Sequence, residues 1–270
     1  NTARQELAGA GTKTAALAVG GNPSVAITEL YDGTSWTEVN DLNTGRQFLA
    51  AAGTQTSALA IGGEVSPSNV TELWNGTNWA AVNTLNTGRY ASGAAGADNT
   101  SLLVFAGRAP AYTAVTESWN GSSWTEVNDV NTARGYLGGA GTNTAALAFA
   151  GRAPDGSSIS PAVTELWNGT NWTEVNDLNT ARRSAGSSGS TNTSALYFGG
   201  LIGPPRTAVT ESWNGTNWTE TTDLNTARNN VAGAGASNTS ALAFGGSTGT
   251  LTAATEEWTD PGIITKTLTT

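Results

Sequence analysis

The chain has 270 residues, of which 38% are hydrophobic and only 12% are charged, and its formal net charge is −9. It contains no His, Cys or Met, which excludes an imidazole base, a thiolate nucleophile, a disulfide and a His or Cys metal site. The acidic balance argues against nucleic-acid binding, which normally needs a basic patch. No apolar run reaches the roughly 18 residues of a membrane span, so we expect no membrane insertion.

An internal repeat organises the whole chain. The string Asn-Thr-Ala/Gly-Arg recurs six times, and cutting before each Asn gives six units of 42 to 48 residues. The units are 1–42, 43–85, 86–130, 131–178, 179–224 and 225–270. We expect them to form a single domain spanning residues 1–270.

Each unit has the same order of elements. After the Arg comes a small-residue segment, then a polar turn, an apolar run ending in Gly-Gly or Ala-Gly, a loop of varying length, Val-Thr-Glu with an aromatic residue, an Asn-Gly turn and a Trp-Thr-Glu-Val string. Apolar and β-branched runs bounded by Gly, Asn and Asp predict strands, and Asn-Gly between two of them predicts a hairpin. Each unit is therefore predicted to be a four-stranded antiparallel meander, with strands A to D in chain order.

Six such units predict an all-β, six-bladed β-propeller, because a small sheet must stack on neighbours to bury both of its faces. A solenoid would need polar capping units, whereas units 1 and 6 have the ordinary composition. In unit 6, residues 259–262 replace the Asn-Gly turn and the second Trp, and residues 263–269 are expected to supply strand D. We expect blade 6 to pack on blade 1 without exchange of a strand.

The pattern resembles the kelch repeat. It has Gly-Gly or Ala-Gly, an aromatic residue, Trp five residues later in five of the units, and a link to the Arg. The aromatic residues are Tyr31, Trp74, Trp119, Trp167, Trp213 and Trp258, followed by Trp36, Trp79, Trp124, Trp172 and Trp218. The amino-acid sequence of residues 167–182 is also similar to kelch-type repeats of structural and tail-fibre proteins of marine tailed bacteriophages. The resemblance implies strands running outward from a central channel, with the B–C and D–A loops on one face. It also implies a virion or extracellular location, with other virion structural proteins as partners.

One Arg and one Glu recur in every unit. The arginines are Arg4, Arg46, Arg89, Arg134, Arg182 and Arg228, and the glutamates are Glu29, Glu72, Glu117, Glu165, Glu211 and Glu256. These residues form either an arginine ring for an anionic ligand or a repeated structural tie. We favour the tie, because an unpaired ring of like charges near the axis would be destabilising.

The B–C loops contain most of the length variation, with 6, 7, 8, 12, 9 and 8 residues in successive units. Three basic residues outside the repeated set, Arg108, Arg152 and Arg206, lie in the B–C loops of consecutive blades, and Tyr112 and Asp155 lie beside them. Guanidinium groups bind carboxylate, sulfate and phosphate. These five residues are the predicted ligand-binding site; the alternative is that they are scattered charges that maintain solubility.

The sequence favours a non-enzymatic protein without cofactor or metal. A glycosidase needs two carboxyl groups about 5 to 9.5 Å apart. Glu64 and Asp155, in B–C loops of different blades, are the candidates for a less favoured carboxylate-dependent glycan hydrolase. The preferred interpretation is a virion or extracellular module that binds a host-surface glycan or a neighbouring virion protein through its B–C loop face. The alternative is an architectural decoration or connector domain that binds no ligand.

Overall fold

The computed structural model describes residues 2–64, 68–154 and 161–259, which form a six-bladed β-propeller. The predicted all-β fold with four-stranded antiparallel blades is confirmed, and the described residues contain no helix. Consequently no helix in these ranges has the length and apolar character to cross a membrane. Strand D of blade 6, predicted at residues 263–269, lies outside the described residues.

The blades follow one another in chain order. Blades 1 and 2 consist of β1 (Ala8–Thr12), β2 (Ala15–Val19), β3 (Thr28–Tyr31), β4 (Trp36–Glu38), β5 (Ala50–Thr54), β6 (Ser57–Ile61), β7 (Thr71–Trp74) and β8 (Trp79–Ala81). Blades 3 and 4 consist of β9 (Gly93–Asp98), β10 (Ser101–Phe105), β11 (Arg108–Ala109), β12 (Ala111–Tyr112), β13 (Thr116–Trp119), β14 (Trp124–Val127), β15 (Gly138–Gly141), β16 (Ala146–Phe149), β17 (Thr164–Trp167) and β18 (Trp172–Val175). Blades 5 and 6 consist of β19 (Gly186–Thr191), β20 (Ser194–Phe198), β21 (Thr210–Trp213), β22 (Trp218–Glu220), β23 (Ala232–Ser237), β24 (Ser240–Phe244) and β25 (Thr255–Thr259).

The turn between strands C and D contains two residues in addition to the predicted Asn-Gly pair. In blade 2, Trp74 pairs with Trp79, so four residues separate the strands. Asn75 Oδ1 accepts hydrogen bonds from the backbone N–H groups of Thr77 at 2.9 Å and Asn78 at 2.8 Å. Gly76 has φ of 91°, a left-handed conformation that glycine adopts at little cost. The Asn-Gly pair therefore serves a turn of four residues, in which the Asn side chain caps the backbone and the Gly adopts the left-handed conformation.

Small residues let the innermost strands approach one another. A Cβ on Gly139 of blade 4 would lie 2.6 Å from the carbonyl oxygen of Ala94 in blade 3 and 2.9 Å from Cζ of Phe105. The same restriction occurs at Gly233 of blade 6, where a Cβ would lie 2.3 Å from the carbonyl oxygen of Ser187 in blade 5. The Gly- and Ala-rich composition of strand A thus follows from the close packing of strands around the axis.

In blades 1, 2, 3 and 5, the tryptophan of strand D donates a hydrogen bond to the preceding blade. The indole N–H of Trp79 in blade 2 donates to Thr28 Oγ1 in blade 1 at 2.9 Å. Trp36 of blade 1 donates in the same way to Thr255 Oγ1 of blade 6 at 3.0 Å. This contact joins the first blade to the last and closes the ring.

Candidate functional site

The predicted arginine and glutamate residues lie together inside the blades. The six arginines are at most 1% exposed, and in each blade Nη1 or Nη2 lies against a carboxylate oxygen of the glutamate of the same blade. In blade 2, Arg46 Nη1 is 2.5 Å from Glu72 Oε1, and Nη2 donates to the carbonyl oxygen of Ala60 at 3.1 Å. Asn43 also donates to Glu72 through its N–H and Nδ2, both at 2.7 Å. The Asn and Arg of the repeat thus bind one buried carboxylate.

A ring of backbone hydrogen bonds surrounds the channel mouth on the B–C loop face. It is formed by the residue two positions after each repeated Arg, and we call these residues the mouth ring: Glu6, Phe48, Ala91, Tyr136, Ser184 and Asn230. Each N–H donates to the carbonyl oxygen of the preceding blade, and Glu6 closes the circle by donating to Asn230, with N–O distances of 2.6 to 3.2 Å. The φ angles of all six lie between 52° and 61°. This left-handed conformation is unfavourable for a residue such as Phe or Tyr, and the closed ring of hydrogen bonds offsets its cost.

The mouth leads into a channel lined by strand A of all six blades. Its lining is dominated by Gly, Ala and Ser, and it contains a cavity of about 210 Å³. The mouth ring supplies the bulky and polar side chains at one end of this cavity. The side chains at this end of the channel therefore differ from blade to blade.

A second circle of contacts holds the B–C loops beside the mouth ring. The residue after each repeated Arg forms an isolated bridge with the first residue of the B–C loop in the same blade. Tyr90 pairs in this way with Arg108, and Gly135 pairs with Arg152. Side chains from two distant parts of each unit are thus placed side by side on one face.

Arg108 lies among tyrosines on this face. The hairpin of β11 and β12 pairs Arg108 with Tyr112, and the guanidinium carbon lies 5.5 Å from the ring centroid of Tyr112 and 5.8 Å from that of Tyr90. Both distances are within the range of a cation–π contact. A hydrogen bond to Tyr136 raises the pKa of Arg108, so the guanidinium stays charged.

Three aromatic rings from different blades extend the surface toward the channel. The ring centroid of Phe48 lies 5.4 Å from that of Tyr136, edge to face, and 6.2 Å from that of Tyr90. All three side chains are partly buried. Together with Arg108 and Tyr112 they form what we call the aromatic–arginine cluster, which combines apolar ring surface with a fixed positive charge.

The other predicted ligand-binding residues lie at different distances from this cluster along the face. Arg152 is exposed. It lies close enough to Arg183 to affect its titration: the pKa of Arg183 is lowered mainly by its own burial and also by the positive charge of Arg152. Arg206 is exposed, and its Nε donates to Asn229 Oδ1 of blade 6 at 2.8 Å. Asp155 lies outside the described residues. The structure therefore brings Arg108 and Tyr112 into contact, and it directs Arg206 toward blade 6.

Acidic side chains occupy the opposite part of the mouth. Burial and, to a smaller extent, the negative charge of Glu64 together raise the pKa of Glu6 to about 7. Asn230 Nδ2 donates to Glu6 Oε1 at 3.1 Å, and Gln47 Nε2 donates to Glu64 Oε2 at 2.8 Å. Blades 1 and 2 thus present carboxylates, while blades 3 to 5 present guanidinium groups.

Sequence reasoning missed four residues of this face, namely Phe48, Tyr90, Tyr136 and Arg183. The signal was present in the repeat. The pair of residues after each repeated Arg is different in every unit, although the Asn-Thr-Ala/Gly-Arg string before it is nearly constant. Variation at fixed positions of a repeat indicates a surface that is free of the constraints on the scaffold.

One residue of the predicted glycosidase pair lies outside the described residues, and the described residues form no acidic group arranged as a metal site. Glu64 is engaged by Gln47, and its predicted partner Asp155 is not among the described residues. No group of three or more acidic residues in ranges 2–64, 68–154 and 161–259 is arranged to hold a metal ion. The side chains that this face presents include aromatic rings and guanidinium groups.

The six-bladed fold is suited to a protein-interaction module, since its loops present a broad face on a rigid scaffold. The resemblance to kelch repeats and to phage proteins rests on the repeat pattern alone. A scan of the chain against models of known protein families gives no match, and a comparison with curated proteins gives none either.

Proposed function

We propose that this protein is a non-enzymatic binding module of a virion or other extracellular surface assembly, and that it attaches to an acidic glycan on a host surface. The observation that carries this proposal is the aromatic–arginine cluster beside the channel mouth. The rings of Tyr90 and Tyr112 lie against the guanidinium of Arg108. Tyr136 hydrogen-bonds Arg108, and Phe48 packs against Tyr136.

The cluster has the two chemical features that an acidic sugar requires. Guanidinium groups bind carboxylates and sulfates with charge-assisted and often bidentate hydrogen bonds. Aromatic rings offer rigid apolar surface with a polar edge, against which the C–H face of a sugar packs. Arg152 and Arg183 extend the positive charge along the same side of the face, which fits a ligand with more than one anionic group.

The charge of the rest of the protein favours a single site for such a ligand. The net charge is −9, so most of the surface repels an anion. A local positive patch in this field concentrates anionic ligands on one face and makes the association rate sensitive to salt. We therefore expect binding that weakens as ionic strength rises.

A glycan array tests the proposal directly. The full chain is applied to sialylated, sulfated, uronic-acid-containing and neutral oligosaccharides, and Kd values for the bound glycans are measured at two salt concentrations. Arg108→Ala combined with Arg152→Ala is expected to weaken binding by about tenfold or more. Lys13→Ala, compared with Arg108→Ala alone, is the control for the loss of one positive charge, because Lys13 lies in the A–B turn on the other face, where its Nζ donates to Thr259 Oγ1 at 2.7 Å.

Two results would contradict the proposal. One is the absence of any acidic glycan among those bound. The other is equal affinity of the double arginine variant and the Lys13→Ala control. Release of reducing ends from a bound polysaccharide would overturn the non-enzymatic part of the proposal.

A further inference from the structure

Opposite charges occupy equivalent positions of the repeat on the B–C loop face. The first residue of each B–C loop donates its N–H to the carbonyl oxygen of the residue after the repeated Arg, with N–O distances of 2.7 to 2.9 Å. This position holds Glu64 in blade 2, Arg108 in blade 3 and Arg152 in blade 4. Glu64 and Arg152 are exposed. A negative and a positive charge therefore lie at equivalent places on the two sides of blade 3.

The other charges near the mouth follow the same division. Glu6 of blade 1 lies on the side of Glu64, whose negative charge contributes to the raised pKa of Glu6. Arg183 and Arg206 of blade 5 lie on the side of Arg152, in the neighbouring blade. Blades 1 and 2 thus form an acidic half of the face, and blades 4 and 5 form a basic half. Blades 3 and 6 lie on the line between the two halves.

This arrangement of charge is self-complementary. Blades 3 and 6 lie opposite each other in a six-bladed ring, so a two-fold axis can run along the face through both of them. When two faces meet on this axis, blade 2 of one copy lies on blade 4 of the other, and blade 1 lies on blade 5. Glu64 and Arg152 occupy the same position of the repeat, so the axis places them opposite each other. A two-fold axis also repeats every contact, so each pair occurs twice.

We propose that this chain forms a two-fold symmetric dimer through its B–C loop face, with Glu64 of each copy opposite Arg152 of the other. A second copy of the chain fits this face better than a uniformly acidic or basic partner, because one half of the face would repel such a partner. Residues 65–67 and 155–160 of the same loops lie outside the described residues, and the pairing of Glu64 with Arg152 does not use them.

An exposed apolar side chain lies on the same axis. Leu251 is 41% exposed, and it belongs to the B–C loop of blade 6, where it forms a bridge with Ser247. Because blade 6 lies on the axis, the Leu251 side chains of the two copies come together in the dimer. Their burial is a hydrophobic contribution to association, in addition to the charge pairs at blades 2 and 4.

The aromatic–arginine clusters of the two copies also meet, because blade 3 lies on the axis. The two Arg108 guanidinium groups repel each other there, which opposes association. We therefore expect a dimer that dissociates reversibly. The proposed glycan and a second copy of the chain compete for this face, but the dimer does not depend on the glycan.

Charge reversal and sedimentation velocity without glycan test the dimer. The full chain is measured from about 1 to 100 µM, and we expect dimers that weaken as ionic strength rises. Glu64→Arg and Arg152→Glu each create two like-charge pairs, and each is expected to weaken dimerisation by about tenfold or more. Glu126→Arg is the matched control, since it makes the same charge change at an exposed residue of β14 on the outer edge and should leave the dimer unchanged.

The two reversals are expected to compensate each other. An equimolar mixture of the Glu64→Arg and Arg152→Glu proteins should form a heterodimer, because the reversed charges then face opposite ones at both contacts. The double variant Glu64→Arg, Arg152→Glu should form a homodimer for the same reason. Recovery of the dimer also shows that the substituted chains fold.

Three results would overturn the proposal. The first is a full chain that stays monomeric over this concentration range. The second is a Glu64→Arg protein that dimerises as strongly as the Glu126→Arg control. The third is failure of the mixture or of the double variant to dimerise. Since no glycan is present, these results are independent of the proposed function, and a failure to bind glycans would leave the dimer unaffected.

Discussion

The buried pair of Arg46 and Glu72 allows a quantitative test of how each blade is held together. Both side chains are at most 1% exposed, and the pair is linked at 2.5 Å. Arg46→Ala leaves the carboxylate buried with only the donors of Asn43 and Thr44. Removing one partner of a buried pair costs about 3 to 5 kcal/mol. Since 1 kcal/mol shifts Tm by about 2 to 4 °C in a protein approaching this size, we expect Tm to fall by about 6 to 20 °C.

Thermal and urea unfolding, followed by tryptophan fluorescence, measure this effect. Arg152→Ala is the matched control, because Arg152 is exposed and its removal should cost less than about 1 kcal/mol. The double variant Arg46→Met, Glu72→Leu should regain most of the lost stability, since it leaves no unpaired buried charge. A loss for Arg46→Ala no larger than that of the control would refute the role assigned to the pair.

Three further variants test other contacts. The pKa of Glu6 is raised to about 7, against 4.5 for an ordinary carboxyl. Between these two pH values Glu6 is protonated in the folded state and ionised in the unfolded state, so stability should fall as pH rises from about 4.5 to 7. Glu6→Gln should abolish this pH dependence, which is measured by urea titration at several pH values. Solvent screening limits the effect to about 1 to 2 kcal/mol. An unchanged dependence of the free energy of unfolding on pH would contradict the role of Glu6. Gly233→Ala places a Cβ 2.3 Å from the carbonyl oxygen of Ser187 and should cost about 1 to 3 kcal/mol in thermal unfolding; a neutral effect would contradict the close packing. Trp79→Phe removes the hydrogen bond to Thr28 and should cost about 1 kcal/mol more than Trp172→Phe, because Trp172 Nε1 has no acceptor among the described residues; equal losses would contradict the role of that bond.

The scaffold was predictable from the sequence because every structural requirement occurs once per blade. Asn43 and Arg46 share one carboxylate, and a small residue at the position of Gly139 allows the close approach of the neighbouring strand A. Such requirements repeat at the same position of each unit, so a period and a string of residue types reveal them. Strand ends were less predictable. The string Trp-Thr-Glu-Val-Asn-Asp-Leu could continue strand D up to Leu42, but β4 ends at Glu38. Beyond the strand, Asp41 Oδ1 accepts a hydrogen bond from the backbone N–H of Thr28 at 3.1 Å.

The candidate site was only partly predictable, since its contacts join residues of different blades. The loop position of Arg108 and Tyr112 is evident in the sequence, and the structure pairs them in one hairpin. The contact of Phe48 with Tyr136 is different, because it crosses from blade 2 to blade 4. It depends on the radius of the mouth ring and on a left-handed backbone at both residues, and neither quantity can be obtained from one unit taken alone.

The division between repeated and unique charges explains why a ligand would bind one face. Of the ten arginines in the chain, six are buried against glutamates. The other four, Arg108, Arg152, Arg183 and Arg206, all lie on the B–C loop face. Exposed glutamates such as Glu38 and Glu126 lie instead on the outer strands, where charge also discourages pairing of strand edges. The proposed anionic ligand would therefore be repelled at the rim and attracted to the arginine side of the mouth in blades 3 to 5, so charge would orient it before any specific contact forms.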